Sequence, residues 1–139
     1  GNDWPPPAGA GNFAGSEVQE EIWPSNWLPI EGYQDGFART SPTGSFKPNK
    51  PGLYDMGGNA WEWCSSWYHK EMNSSELRKK YVVMNEDGGG QKYRVLRGGS
   101  WGDYDPEFLR LSYRNGNLPS SRYDYYGFRC VLVPVKSDH

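Results

Sequence analysis

The sequence has few of the residues on which common catalytic sites depend. Only two histidines occur in 139 residues, His69 and the terminal His139, so a His-based triad or a metal site with several His ligands cannot be assembled. No CxxC, P-loop or HExxH motif is present. Conventional hydrolytic, nucleotide-dependent and zinc-dependent chemistry therefore has little support.

Long apolar runs and basic runs are also missing. No stretch approaches 18 apolar residues and no signal-type apolar segment stands at the start, so no membrane association is expected. The formal charge is −2 and the longest basic run is "RKK" at 78–80, so nucleic acid is not an expected partner. The chain begins without Met, which suggests a processed product or a fragment.

Aromatic residues, glycine and proline are abundant instead. The chain has 7 Trp, 10 Tyr and 5 Phe, together with 18 Gly and 11 Pro. Each aromatic side chain can bury roughly 150 to 250 Å², whereas Gly and Pro favour turns over long helices. We therefore expect one loop-rich domain with an aromatic core, in which most of 12–51 is ordered coil.

Short periodic segments predict the regular structure. "NSSELRKKY" at 73–81 is a weak helix candidate, with an N-cap at Asn73 or Ser74. The segments "KYRVLRGG" at 92–99, "FLRLSYR" at 108–114 and "YGFRCVLVPV" at 126–135 are strand candidates. The predicted fold class is α+β, with a small antiparallel sheet and few short helices.

The two cysteines, Cys64 and Cys130, leave two interpretations open. They form one disulfide or remain two buried thiols, and a lone pair has no spacing pattern that decides between them. Free core thiols are the favoured interpretation, because free Cys is among the most buried residue types.

Carboxylates are the remaining candidates for chemistry. Asp103, Asp105 and Glu107 stand together in "GDYDPEF", where a solvated turn is favoured over acid–base work. Asp55 and Glu62 lie among large aromatics in "GLYDMGGNAWEWCSSWY". Charged side chains are rarely buried unless they are paired or bind a cation, and a glycine-rich loop can turn its carbonyls toward calcium. The alternative is that Glu62 begins a helix.

Several motifs together resemble one family. "GLYDMGGNAWEWCSSWY" is followed in order by "RVLRGGSW", "SYR" and "GFRC", and "GNDWPPPAGAGNF" precedes them. This pattern resembles the formylglycine-generating enzyme (sulfatase-modifying factor) domain family over residues 1 to about 133. The resemblance implies an irregular, coil-rich variant of the C-type lectin fold. It also implies that 1–139 is a single domain without the N-terminal portion of about a hundred residues that family domains usually have.

The resemblance implies one or two calcium ions. The first would be held by the side chains of Asp55 and Glu62 and by the carbonyls of Gly58 and Ala60. The ligands implied for the second ion are the Asn12 and Asp35 side chains and the carbonyls of Phe13 and Phe37.

The family's catalytic cysteine pair does not match this chain. The first cysteine falls at about Asp103, and the second falls at about Phe108 or in a gap. Soft Cu(I) requires thiolates, so neither copper nor formylglycine generation is expected.

The sequence thus predicts a catalytically inactive, calcium-stabilised module that binds a protein or small-molecule ligand. One alternative is part of a superfamily enzyme, sulfatase-modifying or of the ergothioneine-type sulfoxide synthase class, whose catalytic portion lies elsewhere. A second alternative is a variable protein of a diversity-generating retroelement, with a binding surface at 102–126. That span is rich in Tyr and small polar residues, which suit adaptable contacts.

Overall fold

The fold centres on a small sheet surrounded by coil. The computed structural model describes residues 3–17, 28–68 and 92–132. The strands are β1 (Trp61–Trp67), β2 (Arg94–Arg97), β3 (Asn115–Asn117) and β4 (Tyr126–Gly127). They form one sheet in the order β3-β2-β1-β4. No helix occurs in these three ranges, and the helix candidate at 73–81 lies outside them.

The sheet is mixed, which corrects the antiparallel prediction. β2 pairs antiparallel with both β1 and β3, whereas β4 pairs parallel with β1 through Trp61–Tyr126 and Glu62–Gly127. Strand β1 has an irregularity between Trp63 and Trp67. Two parallel strands cannot be joined by a tight hairpin. The chain therefore runs from β1 to β4 through a long connection.

All three predicted strands have different bounds, and β2 (Arg94–Arg97) lies inside the segment predicted at 92–99. The prediction at 108–114 was wrong, because that segment forms consecutive turns and the strand begins only at Asn115. Asp105 initiates these turns: its Oδ1 accepts the Glu107 N–H at 2.8 Å and its carbonyl accepts the Phe108 N–H at 3.1 Å. Of the segment predicted at 126–135, only Tyr126–Gly127 is a strand among its described residues, and 133–135 lie outside them.

Strand β1 was not predicted, although its sequence alternates. In "WEWCSSW" the aromatic residues Trp61, Trp63 and Trp67 share one parity, whereas Glu62 and Cys64 take the other. This observation also corrects the alternative in which Glu62 begins a helix. Glu62 is the second residue of a strand at the centre of the sheet.

The core combines the sheet with the surrounding coil. Val95 and Leu96 are adjacent in β2 and both buried, so the sheet is covered on its two faces. Phe13, Ile30 and Tyr33 form a buried cluster from the coil, against which Leu109 packs. The described part of 12–51 contains neither helix nor strand, as expected, while Trp23 and Trp27 lie outside it. Aromatic residues of the coil therefore supply part of the core.

Among the described residues no helix is long and apolar enough to cross a bilayer.

Candidate functional site

Residues 54–62, called loop one, include a sharp bend and the first two residues of β1. Asp55, Gly58 and Asn59 have φ angles of 50°, 82° and 66°. A Cβ at Gly58 would overlap the Asn12 carbonyl oxygen, so only glycine allows this backbone approach. The Asp55 Oδ2 accepts the Gly44 N–H at 2.7 Å.

The Glu62 carboxylate is paired with a guanidinium. Arg129 Nε donates to Glu62 Oε2 at 2.6 Å, and Arg129 Nη2 contacts Glu62 Oε1. The same guanidinium donates to the carbonyls of Tyr54 at 2.9 Å and Asp55 at 2.8 Å. The hydrogen bond to Glu62 raises the pKa of Arg129 above its usual value. Arg129 thus links the start of loop one to its end.

The charge of the Glu62 carboxylate in loop one is thus balanced by the Arg129 guanidinium. Both Glu62 oxygens accept from Arg129. A calcium ion takes six to eight oxygen ligands, and the Glu62 oxygens already carry a cation. Calcium held by Asp55, Gly58, Ala60 and Glu62 remains a prediction.

The second predicted calcium site, called loop two, consists of residues 12–13 and 35–37. The Asp35 carboxylate joins its two arms, since Oδ2 accepts the Phe13 N–H at 2.8 Å and Oδ1 accepts the Phe37 N–H at 2.9 Å. Burial raises the pKa of Asp35 most strongly, and the nearby Glu17 carboxylate raises it further, against these two hydrogen bonds. The two arms of loop two are therefore joined by hydrogen bonds to Asp35, and the Asp35 and Glu17 carboxylates give this region negative charge.

Asn12 provides an oxygen without a donor in loop two. Its side chain is 1% exposed, and its Nδ2 donates to the Arg39 carbonyl at 2.7 Å. Its Oδ1 is buried and has no hydrogen-bond partner. Buried polar atoms are nearly always satisfied, so this oxygen fits a cation ligand. No cluster of three or more His, Cys, Asp or Glu side chains occurs in the described ranges, so an ion here would also need amide and backbone oxygens.

Asn59 connects the two loops. Its N–H donates to the Asn12 carbonyl at 2.8 Å, and its Oδ1 accepts from the Ser41 N–H at 3.0 Å and from Asn12 Nδ2 at 3.4 Å. Its carbonyl accepts the Trp101 N–H at 3.0 Å. Asparagine tolerates the positive φ here better than most residues do. A disturbance of either loop is therefore transmitted to Asn59.

The positions that match the catalytic cysteines hold unrelated groups. Asp103 Oδ2 accepts from the Ser100 N–H and from Ser100 Oγ, each at 2.7 Å. Burial raises the pKa of Asp103, and these bonds together with one from the Trp61 side chain oppose that rise. Phe108 is 36% exposed and packs on Tyr113 with ring centroids 5.1 Å apart. Neither group can bind copper as a thiolate would.

The segment "GGSWG" at 98–102 also satisfies the GxSxG spacing of nucleophilic serines. Here Ser100 is 2% exposed and donates to Asp103, and no strand-to-helix turn presents it to solvent. Both histidines lie outside the described residues. The geometry gives Ser100 a structural role.

Both cysteines are free thiols, and only Cys64 is partly buried. Cys64 is half-buried in β1, where burial raises the pKa of its thiol. Cys130 is exposed, so its assignment to the core was wrong. Neither lies near the positions that match the family's pair in sequence.

A groove of about 920 Å³ lies beside the segment that replaces the cysteine pair. One wall comes from the N-terminal coil with Trp4, and a second comes from loop one and the preceding coil with Leu53 and Met56. The turns at 106–112 provide the third wall, with Arg110 and Leu111. Leu111 is 64% exposed and Trp4 47%, so apolar groups face the open space.

Tyrosines form a second surface within 102–126. Tyr123 and Tyr125 are stacked at 5.1 Å, and Tyr126 meets both rings nearly edge-on. Arg39 forms an exposed ion pair with Asp124 beside them. Burial and neighbouring tyrosines raise the pKa of Tyr125 to about 12.

The fold and these loops define a coil-rich domain with a small mixed sheet and two candidate cation loops. The family model of the "Sulfatase-modifying factor enzyme 1-like domain" matches residues 6–133. The chain belongs to this formylglycine-generating enzyme and sulfatase-modifying factor family, which confirms the resemblance seen in the sequence.

Active and inactive enzymes are among the similar proteins. The chain is 34% identical over 112 residues to "Formylglycine-generating enzyme" of Streptomyces coelicolor, covering 79% of this chain and 34% of that protein. It is 36% identical over 115 residues to "Inactive C-alpha-formylglycine-generating enzyme 2" of Mus musculus, covering 79% and 32%. The solved structure "Treponema denticola variable protein 1" matches with a TM-score of 0.52 and 26% identity, over 68% of this chain and 32% of that one. The chain thus spans about a third of these proteins.

Two residues of the site were missed in the sequence. Arg129 lies in the quoted "GFRC" motif, but its partner Glu62 is 67 positions away and nothing local joins them. Glu17 follows the Asn12 segment and contacts Gly36 across loop two. Both belong to contacts that form only after folding.

Proposed function

We propose that this domain is a catalytically inactive member of its family that binds an extended peptide segment of a partner protein in the groove. The observation that carries this proposal is the groove lined by Pro106 and by residues 109–112, within the segment where the cysteines of an active enzyme would fall. Calcium at loop two stabilises the domain in this proposal, and copper has no role.

The loss of chemistry follows from the two replaced positions. Formylglycine generation needs a thiolate pair, and a buried carboxylate and a phenyl ring offer neither sulfur nor a comparable redox reaction. Asp103 is held by Ser100 through two 2.7 Å hydrogen bonds, which supports a structural role for that carboxylate. The similarity to a mouse protein named as an inactive enzyme is consistent with such a change within the family.

The groove supports binding because of its size and lining. Its volume of about 920 Å³ falls within the roughly 300 to 1,000 Å³ that is common for ligand sites. Trp4, Met56 and Leu111 give it apolar surface, while Asp3, Lys47 and Arg110 place charges of both signs along it. An extended peptide presents side chains of both kinds at short intervals, which suits this lining.

Loop two is the calcium site that the contacts favour. Asn12 Oδ1 and the Asp35 carboxylate would be the side-chain ligands, with the Phe13 and Phe37 carbonyls completing the set that the family implies. Bound calcium would hold the coil at 12–13 against the coil at 35–37. At a hundredfold excess over Kd, an ion that binds only the folded state adds about 2.7 kcal/mol to the free energy of unfolding.

The absence of catalysis can be tested with a sulfatase-type peptide that contains the target cysteine. We expect no aldehyde above a heat-inactivated control, with or without copper, and the double variant Asp103→Cys/Phe108→Cys provides a comparison for the missing thiols. Aldehyde formation by the wild type would overturn the inactive assignment.

Peptide binding can be tested by selecting a random peptide library on the wild-type domain. Selected peptides should lose affinity for Leu111→Asp, which places a charge in the groove, and keep it for Leu118→Asp. Leu118 is a matched control because it is 39% exposed and lies outside the groove lining. Peptides that bind both variants equally would place binding elsewhere. A different result would assign the groove to a small ligand. In that case no peptide is selected, and small molecules bind the wild type but not Leu111→Asp.

The likeness to the Treponema denticola variable protein favours a second candidate. In that case 102–126 is a diversified binding surface, and the stacked Tyr123 and Tyr125 would be its anchors. Genes of close relatives would then differ mainly within 102–126. Substitutions spread evenly over the chain would contradict it.

A third candidate function is that this domain is one part of a larger enzyme. The chain covers about a third of the Streptomyces coelicolor enzyme, which is consistent with this candidate. A parent reading frame that encodes a metal-binding helical domain next to this chain would support it. A reading frame without any such domain would contradict it.

A further inference from the structure

We propose that Glu17 is a further calcium ligand at loop two, beside the residues that the family resemblance assigns there. This inference rests on the calcium part of the proposed function and is independent of the groove. It gives this chain a second carboxylate at the ion.

The first observation is that Glu17 is docked on one arm of loop two. Its Oε1 accepts the Gly36 N–H at 2.7 Å. Gly36 stands between Asp35 and Phe37, which the family resemblance assigns as ligands. The carboxylate of Glu17 is therefore held beside the backbone that would coordinate the ion.

The other carboxylate oxygen of Glu17 lies against Gly15, two residues after Phe13, and has no donor. Oε2 is buried without a hydrogen-bond partner, and a Cβ added at Gly15 would overlap it. Gly15 is joined to the assigned ligand Phe13, since its N–H donates to the Phe13 carbonyl at 2.7 Å. Because Gly15 has no Cβ, Glu17 Oε2 can lie close to the backbone at residue 15.

The third observation concerns charge. Glu17 accepts the N–H of Gly36, the residue next to Asp35, and the unpartnered Asn12 Oδ1 belongs to the same loop. Among the described residues, the ion pairs are Arg39–Asp124 and Arg129–Glu62, and no cationic side chain within these ranges pairs with Glu17 or Asp35. Two neighbouring carboxylates and an unsatisfied amide oxygen require a cation, and calcium accepts such a mixed oxygen set.

The test compares calcium binding and melting for the wild type and for Glu17→Gln. Glutamine keeps an oxygen that can accept the Gly36 N–H but removes the charge. Titration calorimetry with calcium alone should show affinity roughly tenfold weaker or more, because ligand charge tunes such sites over decades. In EDTA the variant should melt above the wild type, because the repulsion between Glu17 and Asp35 is lost. The order should reverse in saturating calcium.

The control variant is Glu31→Gln, which alters an exposed carboxylate of the neighbouring coil. It should match the wild type in affinity and in both melting temperatures. Asp35→Asn should lose calcium binding, and near-ultraviolet circular dichroism will show whether it folds. Should it fail to fold, the reversed melting order of Glu17→Gln still provides the decision.

Two results would overturn the proposal, and they differ in what else they remove. Glu17→Gln that binds calcium within twofold of the wild type, with no reversal in melting, excludes Glu17 as a ligand and leaves calcium at loop two intact. A wild-type domain that binds no calcium removes both this proposal and the calcium part of the proposed function.

Discussion

Loop one and loop two each place a carboxylate among buried aromatic residues, but the charge is balanced differently. In loop one, Glu62 is paired with the Arg129 guanidinium, which also binds two backbone carbonyls. In loop two, Asp35 receives only backbone N–H groups, and Glu17 adds negative charge. The charge of Glu62 is therefore balanced by a side chain of the protein, whereas no cationic side chain among the described residues pairs with Asp35.

Breaking the pair in loop one should have the largest effect on stability. Arg129→Ala removes hydrogen bonds to Glu62 and to two carbonyls, and should lower the free energy of unfolding by about 3 kcal/mol. Urea denaturation in EDTA measures it. Arg39→Ala is the control, because the side chains of Arg39 and Asp124 are 54% and 57% exposed, against 35% and 23% for Arg129 and Glu62. It should cost less than about 1 kcal/mol. Equal costs would mean that Arg129 has no special role.

The response to calcium should come next in size, and it should follow loop two. At a hundredfold excess of calcium over Kd, the wild type should gain about 2.7 kcal/mol relative to EDTA. Asp35→Asn should lose most of this gain. Glu62→Ala should be less stable in both buffers and keep the gain. Thermal and urea denaturation in the two buffers measure it, and the opposite pattern would place calcium in loop one.

Substitution of Asn59 should have a smaller effect that reaches both loops. Asn59→Gly keeps the positive φ accessible while removing the side-chain bonds to Ser41 and Asn12. We expect a loss of about 1 to 2 kcal/mol in EDTA, from the unsatisfied Ser41 and Asn12 groups. Calcium affinity should also fall, because Asn12 loses a partner. Unchanged affinity with reduced stability would show that the loops are independent.

Much of the local arrangement could be predicted from the sequence. Strand β2 falls within "KYRVLRGG" because alternation and β-branched residues are local signals, and the family follows from motifs in a fixed order. Asp55 precedes strand β1 and Glu62 lies within it next to the buried Trp61, which agrees with their aromatic neighbours in the sequence. These features depend on residues that are close in the chain.

The features that were not predicted depend on distant contacts. The alternation at 108–114 resembles a strand, but the Asp105–Pro106 start converts it into turns. The direction of β4 is set by its pairing with β1, more than 60 residues away in the numbering, and no local signal specifies it. The Arg129–Glu62 pair has the same character. Loop one therefore resembles a calcium loop in sequence although its described contacts are those of an ion pair.

The number of calcium ions bound per chain tests this account most directly. Metal analysis after equilibrium dialysis against calcium, combined with calorimetric stoichiometry, should give one ion per chain for the wild type and for Glu62→Ala, and none for Asp35→Asn. Two ions per chain would contradict the assignment of Arg129, and not calcium, to loop one. An ion that is lost in Glu62→Ala and retained in Asp35→Asn would also contradict the assignment of calcium to loop two.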